Sequence, residues 1–220
     1  MDGGGIRDED GTIHWEVQNL AWIDSTHDMV IRHCWLELLP IVFAKKVVIL
    51  EGKAGRGKSL FLLCAVFDIL YCAKNNKQSV LVPDVHFPEN PRVMYVSRDG
   101  VKHLATANNV LVWDKGGWPE NINYCFSDNV DIADADVGTH LTMAATSGDT
   151  SVLKEFRKRL NGFSEPKAAL YMPSLDYEEM QTVFPTHGSE LEFMFDVIGG
   201  NPRSMSIQPE GVNKQFYDVV

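Results

Sequence analysis

The chain has 220 residues, 45% of them hydrophobic, and a formal net charge of -10. This length carries one domain, or one domain with a short appendage, and supplies enough apolar residues for a sizeable core. The acidic balance argues against a general nucleic-acid coat, and the longest apolar run, residues 60–67, is shorter than the roughly 20 residues a bilayer span takes.

Residues 1–12 are glycine-rich and acidic, and are expected to be a disordered N-terminal segment without a secretory signal. Residues 13–44 read as a helical lead-in. Asp24, Ser25 and Thr26 offer capping side chains, and Val30, Ile31, Cys34, Trp35, Leu38 and Leu39 recur at helical spacing over 29–39 until Pro40 closes the helix. Trp22 and Trp35 are read as core packing rather than base stacking.

Residues 45–173 form the expected core. Val47-Val48-Ile49-Leu50 is an apolar run suited to a strand buried on both faces. It leads into Glu51-Gly52-Lys53-Ala54-Gly55-Arg56-Gly57-Lys58-Ser59, and a helical pattern starts at once with Leu60. Strand, Gly-x-x-x-x-Gly-Lys-Ser, helix is the context of a phosphate-binding loop. Glycines let successive N–H groups converge on one concavity, and the helix adds its unpaired first N–H groups and the positive end of its dipole. The backbone from Gly52 to Leu60 would cradle phosphates, Lys58 would reach the β- and γ-phosphates, and the Ser59 hydroxyl would ligate Mg2+.

Further strands are expected at 80–82, 93–96, 110–113, 124–128, 140–146 and 168–172, with helices between some of them. The fold class is therefore α/β, a P-loop NTPase with a mainly parallel central sheet flanked by helices. Residues 174–220 read as a short C-terminal helical part, in which Ser174 caps an acidic helix. A capping box, Ser189-x-x-Glu192, opens another that Gly199-Gly200 stops. The basic run Lys154, Arg157, Lys158 and Arg159 reads as a solvated helix face. Cys34, Cys64, Cys72 and Cys125 lie in apolar surroundings without Cys-x-x-Cys spacing. They are expected to be reduced core thiols, which fits an intracellular compartment, cytoplasm or nucleus.

Hydrolysis also needs a carboxylate at the end of a neighbouring strand. Asp114 follows the more apolar run, whereas Asp128 precedes by one strand the tip Thr146-Ser147. Residues alone leave both open.

The stretches Phe126-Ser127-Asp128, Ala144-Ala145-Thr146-Ser147-Gly148 and Leu153-Lys154-Glu155-Phe156-Arg157-Lys158 fall in a telling order. Tyr171-Met172-Pro173 with its acidic helix follows, and then Gly199-Gly200-Asn201-Pro202-Arg203. Over roughly residues 47–203 the chain resembles the NTPase module of Crinkler-type effectors and retrotransposon hot spot proteins, within the AAA-like or STAND-like ATPases. The resemblance implies Asp128 as the magnesium aspartate, Thr146 and Ser147 as a γ-phosphate sensor, Arg203 as a second sensor and Pro202 near the base. It also implies a role inside a cell, a host nucleus included if the protein is an effector. Two positions depart from the pattern: Gly148 stands where proline usual follows the sensor serine, and Asn129, not glutamate, follows Asp128.

The expected function is thus Mg2+-dependent binding and slow hydrolysis of a nucleoside triphosphate, ATP first, driving a conformational or assembly switch. A small phosphotransferase of nucleoside-kinase type, or a nucleotide-binding switch with little hydrolysis, are the alternatives. Asp131 and Asp134 are candidate bases, though a solvated acidic loop is the plainer reading. A homo-oligomer sharing its site is left open; nucleic acid and membrane are not expected partners.

Overall fold

The computed structural model describes residues 6–7, 13–14, 31–75, 78–79, 81–130, 138–146, 154, 158, 167–184, 186 and 188–201. In chain order these form β1 (Ile6–Arg7), β2 (Ile13–His14), α1 (His33–Phe43), β3 (Val47–Glu51) and α2 (Lys58–Asn75). Next come β4 (Val93–Val96), β5 (Lys102–Thr106), β6 (Asn109–Val112), β7 (Tyr124–Asp128), β8 (Leu141–Ala145) and β9 (Lys167–Tyr171). Helices α3 (Tyr177–Val183) and α4 (Gly188–Ile198) follow.

Seven strands make one sheet in the order β6-β5-β4-β7-β8-β3-β9. The pairs β4–β7, β7–β8, β8–β3 and β3–β9 are parallel, whereas β5 runs antiparallel to both of its neighbours. The protein is therefore α/β with a mostly parallel sheet, as its alternating strand and helix patterns predict. Its central strands β4, β7 and β8 are buried throughout and read as continuous apolar runs, because helices or loops cover both sheet faces.

Alternation along the strands divides the core. Val48, Leu50, Val93, Tyr95, Tyr124, Phe126, Leu141, Met143 and Ala145 meet α1 and α2 on one face. Val47, Ile49, Met94, Val96, Cys125 and Ala144 form the other face. A satellite cluster of Leu175, Met180, Leu191 and Met194 joins α3 to α4. Cys64, Cys72 and Cys125 are buried free thiols, as expected, and burial raises the Cys64 and Cys125 pKa values.

Several local expectations fail for physical reasons. Pro40 does not close α1 but lies inside it; the ring is exposed and the helix runs on to Phe43. Residues 81–82 form no strand. Instead Ser79 accepts from the Val82 N–H at 2.7 Å and donates to the fully buried Asp68 on α2, tying the loop to that helix. Strand β5 was not expected, because Lys102 and His103 open it and its apolar content is low. Asp176, not Ser174, caps α3, in a reciprocal box with Glu179. Ser189 lies within α4, which already begins at Gly188. At the N-terminus, β1 and β2 pair as a short antiparallel ribbon, so residues 6–7 and 13–14 are extended. Trp22, the caps at 24–26, Asp131, Asp134, Arg157 and Arg159 lie outside the described residues, while Lys154 and Lys158 are helical and exposed.

Removing the Ser79 hydroxyl leaves the buried Asp68 carboxyl short of a donor. Ser79→Ala should therefore lower stability by about 1–3 kcal/mol, read as a reduced urea midpoint at unchanged slope.

Candidate functional site

Parallel pairing aligns the carboxyl ends of β3, β7, β8 and β9 along one edge of the sheet. Leu50 stands level with Ala145, Ala145 with Asp128, and Glu51 with Tyr171. Beyond the last register pairs, Thr146 N donates to Leu50 O at 2.9 Å and Met172 N to Glu51 O at 2.8 Å. In open α/β sheets such carboxyl edges are where ligands bind.

From that edge the chain leaves β3 through Gly52 (φ +150°), Gly55 (φ +81°) and Gly57 (φ +82°). Positive φ is accessible to glycine without a Cβ clash, which is why the loop can turn this tightly. Among the described residues no hydrogen bond uses the N–H groups of residues 53–57. The first intrahelical bond at the start of α2 runs from Phe61 N to Gly57 O at 2.9 Å, so the N–H groups of Ser59 and Leu60 precede it. The loop is a concentration of donors. Lys58, only 6% exposed, folds its ammonium under the loop and donates to the carbonyls of Gly52 at 2.8 Å and Lys53 at 2.7 Å.

Two buried polar groups face the same edge. Thr146 is wholly buried, and among the described residues its Oγ1 has no hydrogen-bond partner. Asp128 is 7% exposed, and among the described residues it makes no ion pair or side-chain hydrogen bond. By alternation Asp128 continues the row Tyr124, Phe126, so it belongs to the face that α2 covers. Its charge is felt locally: burial first, then the Asp128 carboxylate, pushes the Tyr95 phenol well above its ordinary pKa.

The structure separates the two candidate aspartates. Asp128 is two strands from β3 with β8 between them, whereas Asp114 is exposed beyond β6, five strands away. At about 4.8 Å per strand that is roughly 24 Å from the loop. The apolar run before Asp114 misleads because β6 is an edge strand, with Leu111 53% and Val112 62% exposed. Ser147, Pro202 and Arg203 lie outside the described residues.

The sequence did not point to what holds the loop in place. Arg32, at the N-terminus of α1 and 5% exposed, uses all five guanidinium donors. Nε and Nη2 grip both carboxylate oxygens of Glu179 at 3.1 and 3.0 Å. Nη1 donates to the carbonyls of Arg56 at 3.1 Å and Pro173 at 3.2 Å, and Nη2 to that of Ser174 at 2.9 Å. Arg56 is held a second time through its own side chain, which donates to Tyr171 Oη at 2.7 Å and Met172 O at 3.3 Å. Trp35 packs behind the loop, its Cζ2 lying 3.2 Å from where a Cβ on Gly57 would stand. The only hint in the sequence is the Asp176-x-x-Glu179 box, and it says nothing of residue 32.

The chain matches no protein-family model, no curated protein and no solved structure. Among the described residues, no helix is long and apolar enough to cross a membrane, and no three His, Cys, Asp or Glu side chains cluster as a metal site.

Gly57→Ala would place a side chain at positive φ and against Trp35. A loss of about 1–3 kcal/mol is expected, measurable by thermal or denaturant unfolding without any ligand.

Proposed function

We propose that this chain binds a nucleoside triphosphate, ATP being the first candidate, with Mg2+ at the carboxyl edge of a P-loop NTPase fold. On this reading it hydrolyses the γ-phosphate slowly to drive a conformational or assembly switch. The observation that carries the reading is a loop whose N–H groups are unspent among the described residues. It surrounds a buried lysine, beside a threonine hydroxyl and a buried aspartate that have no partner among the described residues. A buried hydroxyl without a partner costs free energy unless a ligand completes it. An anion with several acceptor oxygens satisfies these donors together, and a triphosphate tail is such a group.

The residues fit a hydrated magnesium as well. Ser59 Oγ and the Asp128 carboxylate are hard oxygen donors, and a site with one or two protein oxygens is how Mg2+ usually sits beside phosphates. When bound, the ion would neutralise charge on the β- and γ-phosphates. The rest is this chain's own work. Lys58 and the N–H groups of residues 55–60 bind and orient the phosphates, and favour the charge that builds on the β–γ bridge during transfer. Asp128 would hold water about the metal, and Thr146 would donate its hydroxyl toward the γ-phosphate or the attacking water. Ser147 and Arg203 are the proposed partners that follow loss of the γ-phosphate, with Pro202 near the base.

Asn129 favours slow turnover. It follows Asp128 with φ +59°, its N–H donating to Ala145 O at 2.8 Å, so an amide stands where a carboxylate could polarise water. A binding switch with little hydrolysis is therefore the second reading, and it predicts nucleotide affinity without phosphate release. Phosphate release with Mg2+ across the four nucleoside triphosphates separates the two. Lys58→Ala and Asp128→Ala should each lower the rate about a hundredfold or more, while Asp114→Ala leaves it at the parental value. A Lys58→Ala protein as active as the parent would sink the hydrolytic reading.

A further inference from the structure

We propose that Arg32 is a positioning residue for the phosphate-binding loop: by gripping the Arg56 carbonyl it holds the Gly57 N–H in the orientation that receives a phosphate oxygen. This rests on the nucleotide reading above and deepens it.

The argument is one of peptide geometry. The Arg56–Gly57 bond is trans, since the described chain contains no cis peptide, and in a trans peptide the C=O and the following N–H point in opposite directions. Arg32 Nη1 takes the Arg56 carbonyl at 3.1 Å, so the Gly57 N–H is turned away from Arg32, where no acceptor among the described residues meets it. Glycine at 57 has access to both signs of φ. Without the grip on residue 56, this peptide could rotate and present its carbonyl to the phosphate in place of its N–H. An oxygen facing an anion is repulsive, so the site would lose a donor and gain an opposing dipole.

Arg32 is built to resist that rotation. Its guanidinium is planar, and five acceptors fix it: both Glu179 oxygens and the carbonyls of Arg56, Pro173 and Ser174. Glu179 is itself held, because its Oε2 also accepts from Asp176 N at 3.1 Å. A lysine offers three donors from one nitrogen and could not span these acceptors. The Arg56 side chain, bonded to Tyr171 and Met172, holds the same residue from the other side but leaves the peptide that follows it free to turn.

The test uses the full chain, with Mg-ATP and pyrophosphate as probes, in the parent, Arg32→Lys, and the double variant Arg32→Met with Glu179→Met. The double variant removes both buried charges together, which is often close to neutral for stability, whereas removing one partner is not. Binding of both probes should weaken about tenfold to a hundredfold, the loss of one hydrogen bond to a charged group. The Gly57 amide nitrogen and proton resonances should shift on pyrophosphate addition in the parent and fail to shift in the variants, with the β3 amides unchanged. A merely structural role for Arg32 would not single out Gly57. If the double variant does not fold, Arg32→Lys carries the same comparison. Parental affinity together with a parental Gly57 shift in a folded variant overturns the inference and leaves the nucleotide reading standing. A parent that binds neither probe overturns the nucleotide reading, and this inference with it.

Discussion

The structure depends on β3 being hydrogen-bonded in parallel on both sides, to β8 and to β9. Parallel ladders leave little freedom of register once both faces are buried, since a slip of one residue would exchange the two core faces. With Leu50 level with Ala145, and Ala145 level with Asp128, groups about a hundred residues apart in the chain arrive at one edge. The glycine loop, Lys58, Thr146 and Asp128 share a site because the sheet brings their strand ends to one level.

A donor-rich loop is a liability unless something fixes its shape, because glycines that permit the turn also permit others. This chain meets the problem at residue 56, whose carbonyl goes to Arg32 and whose guanidinium goes to Tyr171 and Met172. The ties run to three separate regions: the start of α1, the end of β9, and, through Glu179, the cap of α3. Arg32 and Glu179 are largely buried, so their pairing is weakly screened and sensitive to loss of either member. Helix α3 is thereby tied, through Glu179 and Arg32, to the backbone of the loop.

How far the site could be read in advance varied with the range of the interaction involved. The strand before the loop, the loop and α2 were legible because periodicity, glycine spacing and the Lys-Ser pair are adjacent in sequence. The strands at 93–96, 124–128 and 141–145 were legible because central parallel strands are short uniform apolar runs, and β9, although an edge strand, because Ala168 to Met172 is a short apolar run stopped by Pro173. The same reasoning found the strand at 110–112 but not that it is an exposed edge, and it misjudged residues 81–82, apolar but bonded to a side chain instead of a ladder. It missed β5, whose polar residues join the sheet because β4 and β6 supply neighbours on both sides. Pro40 shows the same limit: its ring is excluded from a helix interior by rule, yet an exposed position lets α1 continue past it.

By itself, then, the amino-acid sequence determined the α/β class, the glycine loop with Lys58 and Ser59, and the buried character of the strands that flank it. These follow from local sterics and from hydrophobic periodicity, which act over a few residues. Only the tertiary structure decided that Asp128 rather than Asp114 stands near the loop, that the Thr146 hydroxyl is left without a partner among the described residues, and that Arg32 reaches Arg56 and Glu179. Each of those outcomes depends on strand order or on contacts across 24 to 147 positions of chain, and no local pattern encodes which distant segments will lie side by side.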